Sequence, residues 1–288
     1  MWQGRENEQI MEMNTEQELP ALEVHNLTAS YNRKPVLWDV DFKLPAGQLI
    51  GIVGPNGSGK TTLLRNIMGL MKPDSGYVNL FGKKLDDVRE QVSYVPQRET
   101  VDWDFPANVM EVVEMGRYRK SNLFRRISTK DKNIAKQALE RVNMLEHANR
   151  QISQLSGGQQ QRVFIARSLA QQADLYLMDE PFVGVDAATE ESILNLLSEM
   201  KNEGKTVVIV HHDLQTAYEY FDHIVLLNTR LVASGPKDEV FTSNLLQEAY
   251  GGRLTVLSRI GDLLAKEQFP VREKEFKEKE GPGDAAAH

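Results

Sequence analysis

The sequence predicts an α/β fold in which helices flank a mostly parallel sheet and a helical segment interrupts it. Short apolar runs typical of buried strands occur at 49–53, 174–180, 206–210 and 223–227. Stretches with helical periodicity follow the first two of these runs. Between 97 and 157 the strand pattern stops and helical periodicity takes over. The alternation of strands and helices on both sides of this segment favours a single α/β core.

The first part of the core covers residues 21–96, after an acidic and polar stretch at 1–20 that predicts a disordered tail. It begins with two β-rich segments, LEVHNLTASY and VLWDVDFKL, which predict an N-terminal β subdomain. Residues 74–82 (DSGYVNLFG) indicate a hairpin, and 91–95 a strand that ends at Pro96.

The inserted segment, 97–157, is about 60 residues long, which is too long for a loop without structure. Helical periodicity at 109–115 and 130–142 predicts a helical subdomain. Thr129 is the expected N-cap of the second helix, with Asp131 near the positive end of the helix dipole.

The second part of the core covers 158–250, and 251–288 form a C-terminal extension. In that extension Leu257, Ile260, Leu263 and Leu264 have helical spacing, which fits either a packing helix or a dimer contact. From Lys266 onward dense mixed charge and small residues predict disorder.

Composition excludes several classes of protein. The net charge of −7 and the pI of about 5.5 lack the basic footprint of nucleic-acid binding, so no nucleic-acid partner is expected. With Cys 0, disulfides and thiolate metal sites are excluded, which suits a reducing compartment such as the cytosol. The longest apolar runs are far shorter than the roughly 20 residues of a membrane-spanning helix, and the N-terminus does not resemble a signal peptide.

Residues 54–61 (GPNGSGKT) match the P-loop pattern G-x-x-x-x-G-K-[ST] between a strand and a helix. Glycines let backbone N–H groups curl around phosphate oxygens, Lys60 reaches the outer phosphates, and the Thr61 hydroxyl binds magnesium. A structural glycine turn is the alternative, and a P-loop alone also fits kinases, GTPases or helicases. The candidate phosphate-binding residues are Gly54, Pro55, Asn56, Gly57, Ser58, Gly59, Lys60, Thr61 and Thr62.

Two carboxylates, Asp179 and Glu180, follow an apolar strand at the edge of the sheet where ligands bind. Because adjacent strand residues point in opposite directions, the two carboxylates can have different roles. We expect Asp179 to hold magnesium and Glu180 to polarise the attacking water as catalytic base. A surface acidic pair is the alternative.

A second glycine-rich stretch, LSGGQ at 155–159, places a serine hydroxyl and glycine amides at the start of a helix, which is also an anion-binding arrangement. The candidate ligands are Ser156, Gly157, Gly158 and Gln159.

These motifs together resemble the nucleotide-binding subunits of ABC transporters over about residues 21–250. The matching stretches, in order, are GPNGSGKT, YVPQ with Gln97, LSGGQ, LMDEP, GVDAAT with Asp186, and VHHDL with His212. The resemblance implies a P-loop NTPase (RecA-like) core that binds ATP and Mg²⁺ and hydrolyses ATP.

The resemblance also implies a homodimer formed on ATP binding, in which the LSGGQ residues of one copy cap the γ-phosphate held by the other P-loop. Tyr31 would stack on adenine, although a strand aromatic is more often part of the core. Gln97 would sense magnesium and the membrane subunit, Asp186 would cross the dimer interface, and His212 would contact the γ-phosphate. Its neighbour His211 is expected to be a packing residue; a metal-ligand role for this pair is the weaker reading.

A narrower resemblance, to ATP-binding subunits of manganese, zinc and iron importers, rests on 95–118, FVGVDAATE and EVFTSNLLQEAYGGRL. It implies an ATPase at the cytoplasmic face of the membrane that works with a separate permease and, indirectly, a metal-binding lipoprotein. Manganese is the preferred cargo, with zinc or siderophore iron as alternatives. A soluble ABC ATPase acting on DNA or ribosomes, and a regulatory module without catalysis, are the rivals.

A local basic cluster interrupts the acidic sequence within the inserted segment. It fits either docking against a permease or lipid headgroups, or a solvated face. Its members are Arg117, Arg119, Lys120, Arg125 and Arg126.

Overall fold

Two sheets form the framework of the computed structural model, which describes residues 19–118 and 127–251. Their strands are β1 (Leu22–Tyr31), β2 (Lys34–Leu44), β3 (Leu49–Val53), β4 (Ser75–Leu80), β5 (Val92–Val95), β6 (Leu175–Asp179), β7 (Thr206–Val210), β8 (His223–Asn228) and β9 (Arg230–Pro236). A three-stranded antiparallel sheet has the order β2-β1-β4, and a six-stranded sheet has the order β5-β6-β7-β3-β8-β9.

Helices connect these strands and cover the larger sheet. They are α1 (Lys60–Ile67), α2 (Leu85–Val88), α3 (Val109–Glu114), α4 (Thr129–Arg141), α5 (Gly157–Ala170), α6 (Ala187–Asn202), α7 (Leu214–Tyr220), α8 (Lys237–Val240) and α9 (Ser243–Tyr250). Within the described ranges, no helix is both long enough and apolar enough to cross a bilayer.

The larger sheet is parallel except at one edge. β3 pairs in parallel with β7 and β8, and β6 pairs in parallel with β5 and β7. Every residue of β3, β6 and β7 is buried, which explains their continuous apolar sequences. The antiparallel edge strand β9 was not predicted from the sequence. The mostly parallel α/β fold class is confirmed.

The hairpin predicted at 74–82 is wrong. The segment forms one strand, β4, which pairs antiparallel with β1. After it the chain only turns, with Phe81 at φ 51 and an isolated bridge between Leu80 and Lys83. The strand finds its partner in a distant segment of the β subdomain, which the local turn signal could not indicate.

The inserted region packs its helices against α5. Val109, Val112 and Val113 of α3 and Leu139 of α4 are buried in the same apolar cluster as Val163 of α5. α3 begins with a capping box, in which Asn108 Oδ1 accepts from the Glu111 N–H and Glu111 Oε2 accepts from the Asn108 N–H. The helical elements are thereby fixed onto the core.

The predicted N-cap of α4 is wrong by one residue. Ser128, and not Thr129, is extended and caps the helix, and its Oγ accepts from the Asp131 N–H at 3.2 Å. Thr129 is the first helical residue. Ser128 Oγ also donates to Asp131 Oδ2 at 2.6 Å, and this bond, with the one from Arg117, lowers the Asp131 pKa. Both hydroxyl residues suited the cap by type; the backbone turn decides between them.

The one described member of the basic cluster is not a free surface charge. The Arg117 side chain is 8% exposed and its Nε donates to Asp131 Oδ1 at 2.9 Å. Its Nη1 donates to the Ala170 carbonyl at 2.6 Å. Arg117 therefore ties α4 to the end of α5, and it fits neither expectation for the cluster, a docking surface or a solvated face. The other members of the cluster, the N-terminal stretch to residue 18 and the helix expected at 257–264 lie outside the described residues.

Gly51 provides a test of packing in the central strand. An added Cβ at Gly51 would lie 2.1 Å from Phe221 Cδ2 and 2.6 Å from Cε2. We expect Gly51→Ala to lower the free energy of unfolding by about 1–3 kcal/mol through overpacking, as measured by urea denaturation. Phe221→Leu in the same chain should recover part of that loss.

The matched control is Gly235→Ala in edge strand β9, where the added Cβ would make only ordinary contacts at 3.5 and 3.6 Å. It should change the unfolding free energy by less than about 0.5 kcal/mol. Equal effects of the two glycine variants would contradict the packing argument.

Candidate nucleotide-binding site

The P-loop joins β3 to α1 in a conformation that only glycine can adopt at two positions. Gly54 has φ 156 and an added Cβ would lie 2.0 Å from the Leu227 carbonyl oxygen. Gly59 has φ 99 and an added Cβ would lie 2.8 Å from the Val36 carbonyl oxygen. Glycine is therefore required at Gly54 and Gly59 by the close approach of neighbouring backbone.

Lys60 lies inside the loop. Its Nζ donates to the Gly54 and Pro55 carbonyls at 2.9 and 3.0 Å, and burial lowers its pKa. No side chain of the described residues caps the start of α1, and the buried Ser58 Oγ has no hydrogen-bond partner. Unpaired helix N–H groups, a buried hydroxyl and an ammonium group on one loop fit a bound phosphate chain.

Asp179 ends β6 and faces α1. It is 1% exposed, and its Oδ1 accepts from the Thr61 hydroxyl at 3.1 Å. Burial raises its pKa to about 6, and its Oδ2 has no hydrogen-bond partner. A buried carboxylate oxygen without a partner beside a threonine hydroxyl fits an oxygen-bound cation such as Mg²⁺.

Glu180 follows the strand and contacts the loop after β5. Its Oε2 accepts from Gln97 Nε2 at 3.1 Å. The strand ends at Asp179, and Glu180 has φ 50, so a left-handed turn and not strand alternation separates the two carboxylates. The two side chains have different partners, Thr61 and Gln97, and strand alternation, from which the sequence argument started, is not the cause.

The LSGGQ residues begin α5 with a second capping box. Ser156 Oγ accepts from the Gln159 N–H at 3.4 Å, and Gln159 Oε1 accepts from the Ser156 N–H at 2.9 Å. They line a surface cavity of about 390 Å³ together with Gly184 and Asp186. Asp186 caps α6 through Thr189, whose backbone and hydroxyl hydrogen bonds lower the Asp186 pKa.

The structure brings only some of the predicted site residues together. Direct hydrogen bonds join Thr61 to Asp179 and Gln97 to Glu180. In the described residues, no hydrogen bond or ion pair joins Ser156 or Asp186 to the P-loop of the same chain. One chain therefore carries two separate groups of candidate ligands.

Tyr31 ends β1 and is 43% exposed, so it is not a core aromatic. Its hydroxyl accepts from Arg65 Nη1 at 3.3 Å, which places its ring near the helix that follows the P-loop. The side chain is therefore accessible to another planar group.

The two histidines after β7 differ in environment. His211 is 2% exposed and lies edge-on to Phe182 and Phe221, at centroid distances of 5.2 and 6.0 Å. Burial lowers its pKa to about 4. His212 is exposed and lines a cavity with Glu190 and Phe182. His211 is therefore a packing residue, and His212 is free to reach a ligand.

Sequence reasoning missed Arg98. It follows Gln97 and donates twice to Gln160 of α5. A lone arginine after a glutamine gives no local signal, and only the fold brings it to the LSGGQ helix.

A P-loop beside an acidic pair at one edge of a parallel sheet defines a P-loop nucleoside triphosphatase. The family model for ABC transporter matches residues 37–183. The chain belongs to the ATP-binding subunits of ABC transporters, the family that hydrolyses ATP to power transport.

Individual relatives agree with this assignment. The chain is 56% identical over 236 residues to the manganese transport system ATP-binding protein MntB of Bacillus subtilis (strain 168), covering 82% of this chain and 94% of that protein. It is 54% identical over 235 residues to the zinc transport system ATP-binding protein TroB of Treponema pallidum (strain Nichols), covering 82% and 88%. A solved dimeric ATP-binding cassette with ADP and Pi has a TM-score of 0.66 and 30% identity, covering 75% and 98%.

The buried His211 predicts a specific dependence of stability on pH. Its folded pKa of about 4 lies below the ordinary histidine pKa of 6.5, so the unfolded chain binds more protons between these two pH values. Its contribution to stability is complete above about pH 6.5 and is lost as the pH falls toward 4. His211→Leu should reduce the loss of unfolding free energy over this interval by on the order of 2–3 kcal/mol, as measured by urea denaturation at several pH values.

Phe182→Leu is the control, because it removes packing from the same cluster without removing a titrating group. It should shift the unfolding free energy by a similar amount at every pH. An unchanged pH slope in His211→Leu would show that His211 does not carry this dependence.

Proposed function

We propose that this chain is the ATP-hydrolysing subunit of an importer for a divalent metal, with manganese the preferred cargo and zinc the alternative. It would act on a separate membrane permease at the cytoplasmic face, with a metal-binding lipoprotein as an indirect partner. The hydrogen-bonded pairs Thr61–Asp179 and Gln97–Glu180 beside the P-loop carry the ATPase part of the proposal. The manganese and zinc subunits among the relatives support the cargo.

Phosphate binding is assigned to the P-loop, which comprises residues 54–62. Its backbone N–H groups and the Lys60 ammonium would hold the β- and γ-phosphates. Because Lys60 Nζ now donates to two loop carbonyls, it lies within the cradle and can exchange those bonds for phosphate oxygens. Burial lowers the Lys60 pKa, while the nearby Glu180 and Asp179 oppose that shift.

Magnesium binding is assigned to Thr61, Asp179 and Gln97. The Thr61 hydroxyl and the unpartnered Asp179 Oδ2 provide oxygen ligands at one point. When bound, Mg²⁺ neutralises phosphate charge during transfer. A bound cation would give the second oxygen of the buried Asp179 carboxylate a partner that the described residues do not provide.

Glu180 is assigned as the catalytic base. In-line attack on the γ-phosphate needs a carboxylate that accepts a hydrogen bond from water and orients it. Gln97 holds one carboxylate oxygen of Glu180 at 3.1 Å and thereby limits the rotamers of the side chain. His212 is proposed to contact the γ-phosphate, since it leaves the end of β7, between β3 and β6 in the sheet. Tyr31 is proposed to stack on adenine with its exposed ring.

The second ligand group is assigned to the partner's nucleotide. Ser156, Gly157, Gly158 and Gln159 would cap the γ-phosphate on the other P-loop, and Asp186 would cross the interface. Two such contacts related by a two-fold axis close a homodimer around two ATP molecules. The relative solved with ADP and Pi is itself dimeric, which supports this arrangement.

Replacing the proposed base separates binding from turnover. Glu180→Gln keeps the planar shape and size of the carboxylate and removes its negative charge, so the variant should bind ATP and dimerise but hydrolyse ATP at least about 100-fold more slowly. Phosphate release with Mg²⁺ measures turnover, and light scattering measures the ATP-dependent dimer. Lys60→Ala is the matched control, because it should lose ATP binding and therefore also the dimer.

Normal hydrolysis by Glu180→Gln would remove Glu180 as the base. Absence of an ATP-dependent dimer, with ATP binding intact and a permease supplied, would contradict the shared site.

A deletion strain tests the cargo. Without this chain, cells should lose high-affinity uptake of manganese tracer and recover it with the wild type but not with Glu180→Gln. Zinc uptake measured in the same cells distinguishes the alternative cargo. Loss of zinc uptake alone would favour zinc, and unchanged uptake of both metals would place the ATPase outside their transport.

A further inference from the structure

Arg98 lies where the loop after β5 meets the start of α5. Its Nε and Nη2 donate to Gln160 Oε1 at 3.3 and 3.0 Å. Its Cζ lies 5.8 Å from the centroid of the Trp103 ring, and Trp103 Nε1 donates to the Arg98 carbonyl at 2.9 Å. The guanidinium is therefore held in one orientation by contacts to its own loop and to the helix.

The same guanidinium packs on the backbone of the LSGGQ segment. A Cβ added at Gly157 would lie 3.0 Å from Arg98 Cζ and 3.2 Å from its Nη2. A Cβ added at Gly184, two residues before Asp186, would lie 3.9 Å from Nη1. Arg98 therefore packs against the LSGGQ segment and lies close to the segment before Asp186, the two segments that we assign to the partner's nucleotide.

Gln160 connects Arg98 to the start of α5. It is 4% exposed, and its Nε2 donates to the Ile152 carbonyl at 3.2 Å. Because that bond fixes the amide, Gln160 Oε1 faces Arg98 and cannot rotate away without losing both partners. The start of α5, which presents Ser156, is thus tied to the position of Arg98.

Arg98 directly follows Gln97 in the chain, and the Gln97 side chain donates to Glu180. A continuous path runs from the proposed base through Gln97 and Arg98 to Gln160. Each step in it is a covalent bond or a hydrogen bond of 3.3 Å or less.

We propose that Arg98 is a positioning residue that couples the two half-sites of one chain. A displacement of Gln97 at the chain's own nucleotide moves Arg98, and the planar guanidinium passes that displacement to the LSGGQ segment presented to the partner. The inference rests on the shared-site dimer proposed above and adds the residue that makes the two sites of the dimer act together.

The test uses the full chain with Arg98→Ala and Arg98→Lys. A fluorescent ATP analogue should bind monomeric Arg98→Ala within about twofold of wild type, because the P-loop is untouched. The kcat should fall about tenfold, and the Hill coefficient for ATP should fall toward 1, since the sites no longer bias each other. Arg98→Lys keeps the charge but not the planar fork, so it should lie between the two.

The control is Arg150→Ala, which removes an exposed arginine from the same helical region. Its kcat and Hill coefficient should match those of wild type. A lower thermal midpoint in Arg98→Ala with an unchanged Hill coefficient would show a merely structural role and overturn the proposal.

A double-mutant cycle tests the route through Gln160. Gln160→Leu removes the acceptor at similar volume, and Arg98→Ala combined with it should lower kcat no further than either change alone. Additive losses would show that Arg98 and Gln160 act independently and would overturn the coupling.

A last comparison separates this inference from the dimer on which it rests. In the Glu180→Gln background, Arg98→Ala should raise the ATP concentration for half-maximal dimerisation about tenfold. If Glu180→Gln alone does not dimerise, the shared site fails. If it dimerises and Arg98→Ala changes neither that concentration nor the Hill coefficient, only the coupling fails.

Discussion

The hydrogen bond between the Thr61 hydroxyl and Asp179 depends on the order of the sheet, and the candidate site depends on that bond. β3 and β6 are not neighbours, because β7 lies between them. Since all three strands run parallel, the loops that follow them leave from one edge. The P-loop and the acidic pair therefore meet although more than a hundred residues separate Thr61 from Asp179, and His212 follows β7 at the same edge of the sheet. An antiparallel β6 would put its carboxylates at the opposite edge.

The same arrangement has an electrostatic cost. Asp179 is almost fully buried with one oxygen unpartnered, and burial raises its pKa to about 6. Burial also lowers the pKa of Lys60 in the P-loop, so the charged forms of both side chains are disfavoured without a ligand. A cation beside Asp179 would stabilise the charged carboxylate, and a phosphate beside Lys60 would stabilise the charged ammonium group. The site is thus least stable when empty, which couples ligand binding to stability.

The sequence predicted those features of the fold that depend mainly on residues close together in the chain. Buried strands have continuous apolar runs and the P-loop has obligatory glycines, so both could be read from the sequence. β9 was missed because RLVASGP is short of large apolar residues and ends in Gly-Pro, unlike a core strand. The cap of α4 was misplaced because Ser128 and Thr129 suit it equally by type. Long-range partners such as Gln97 with Glu180, 83 positions apart, depend on the fold and carry no local signal.

Ser156 has an observed role in the fold and, in the dimer that we propose, a second role at the nucleotide of the other chain. Its Oγ accepts from the Gln159 N–H, which caps α5 and fixes the residue at the end of the helix. A hydroxyl has one donor as well as two acceptor lone pairs, so capping leaves the O–H free to donate. A phosphate oxygen needs that donor and gains the helix dipole with it. The single chain therefore already holds the LSGGQ segment in a capped conformation, so the association that we propose would need no refolding of that segment.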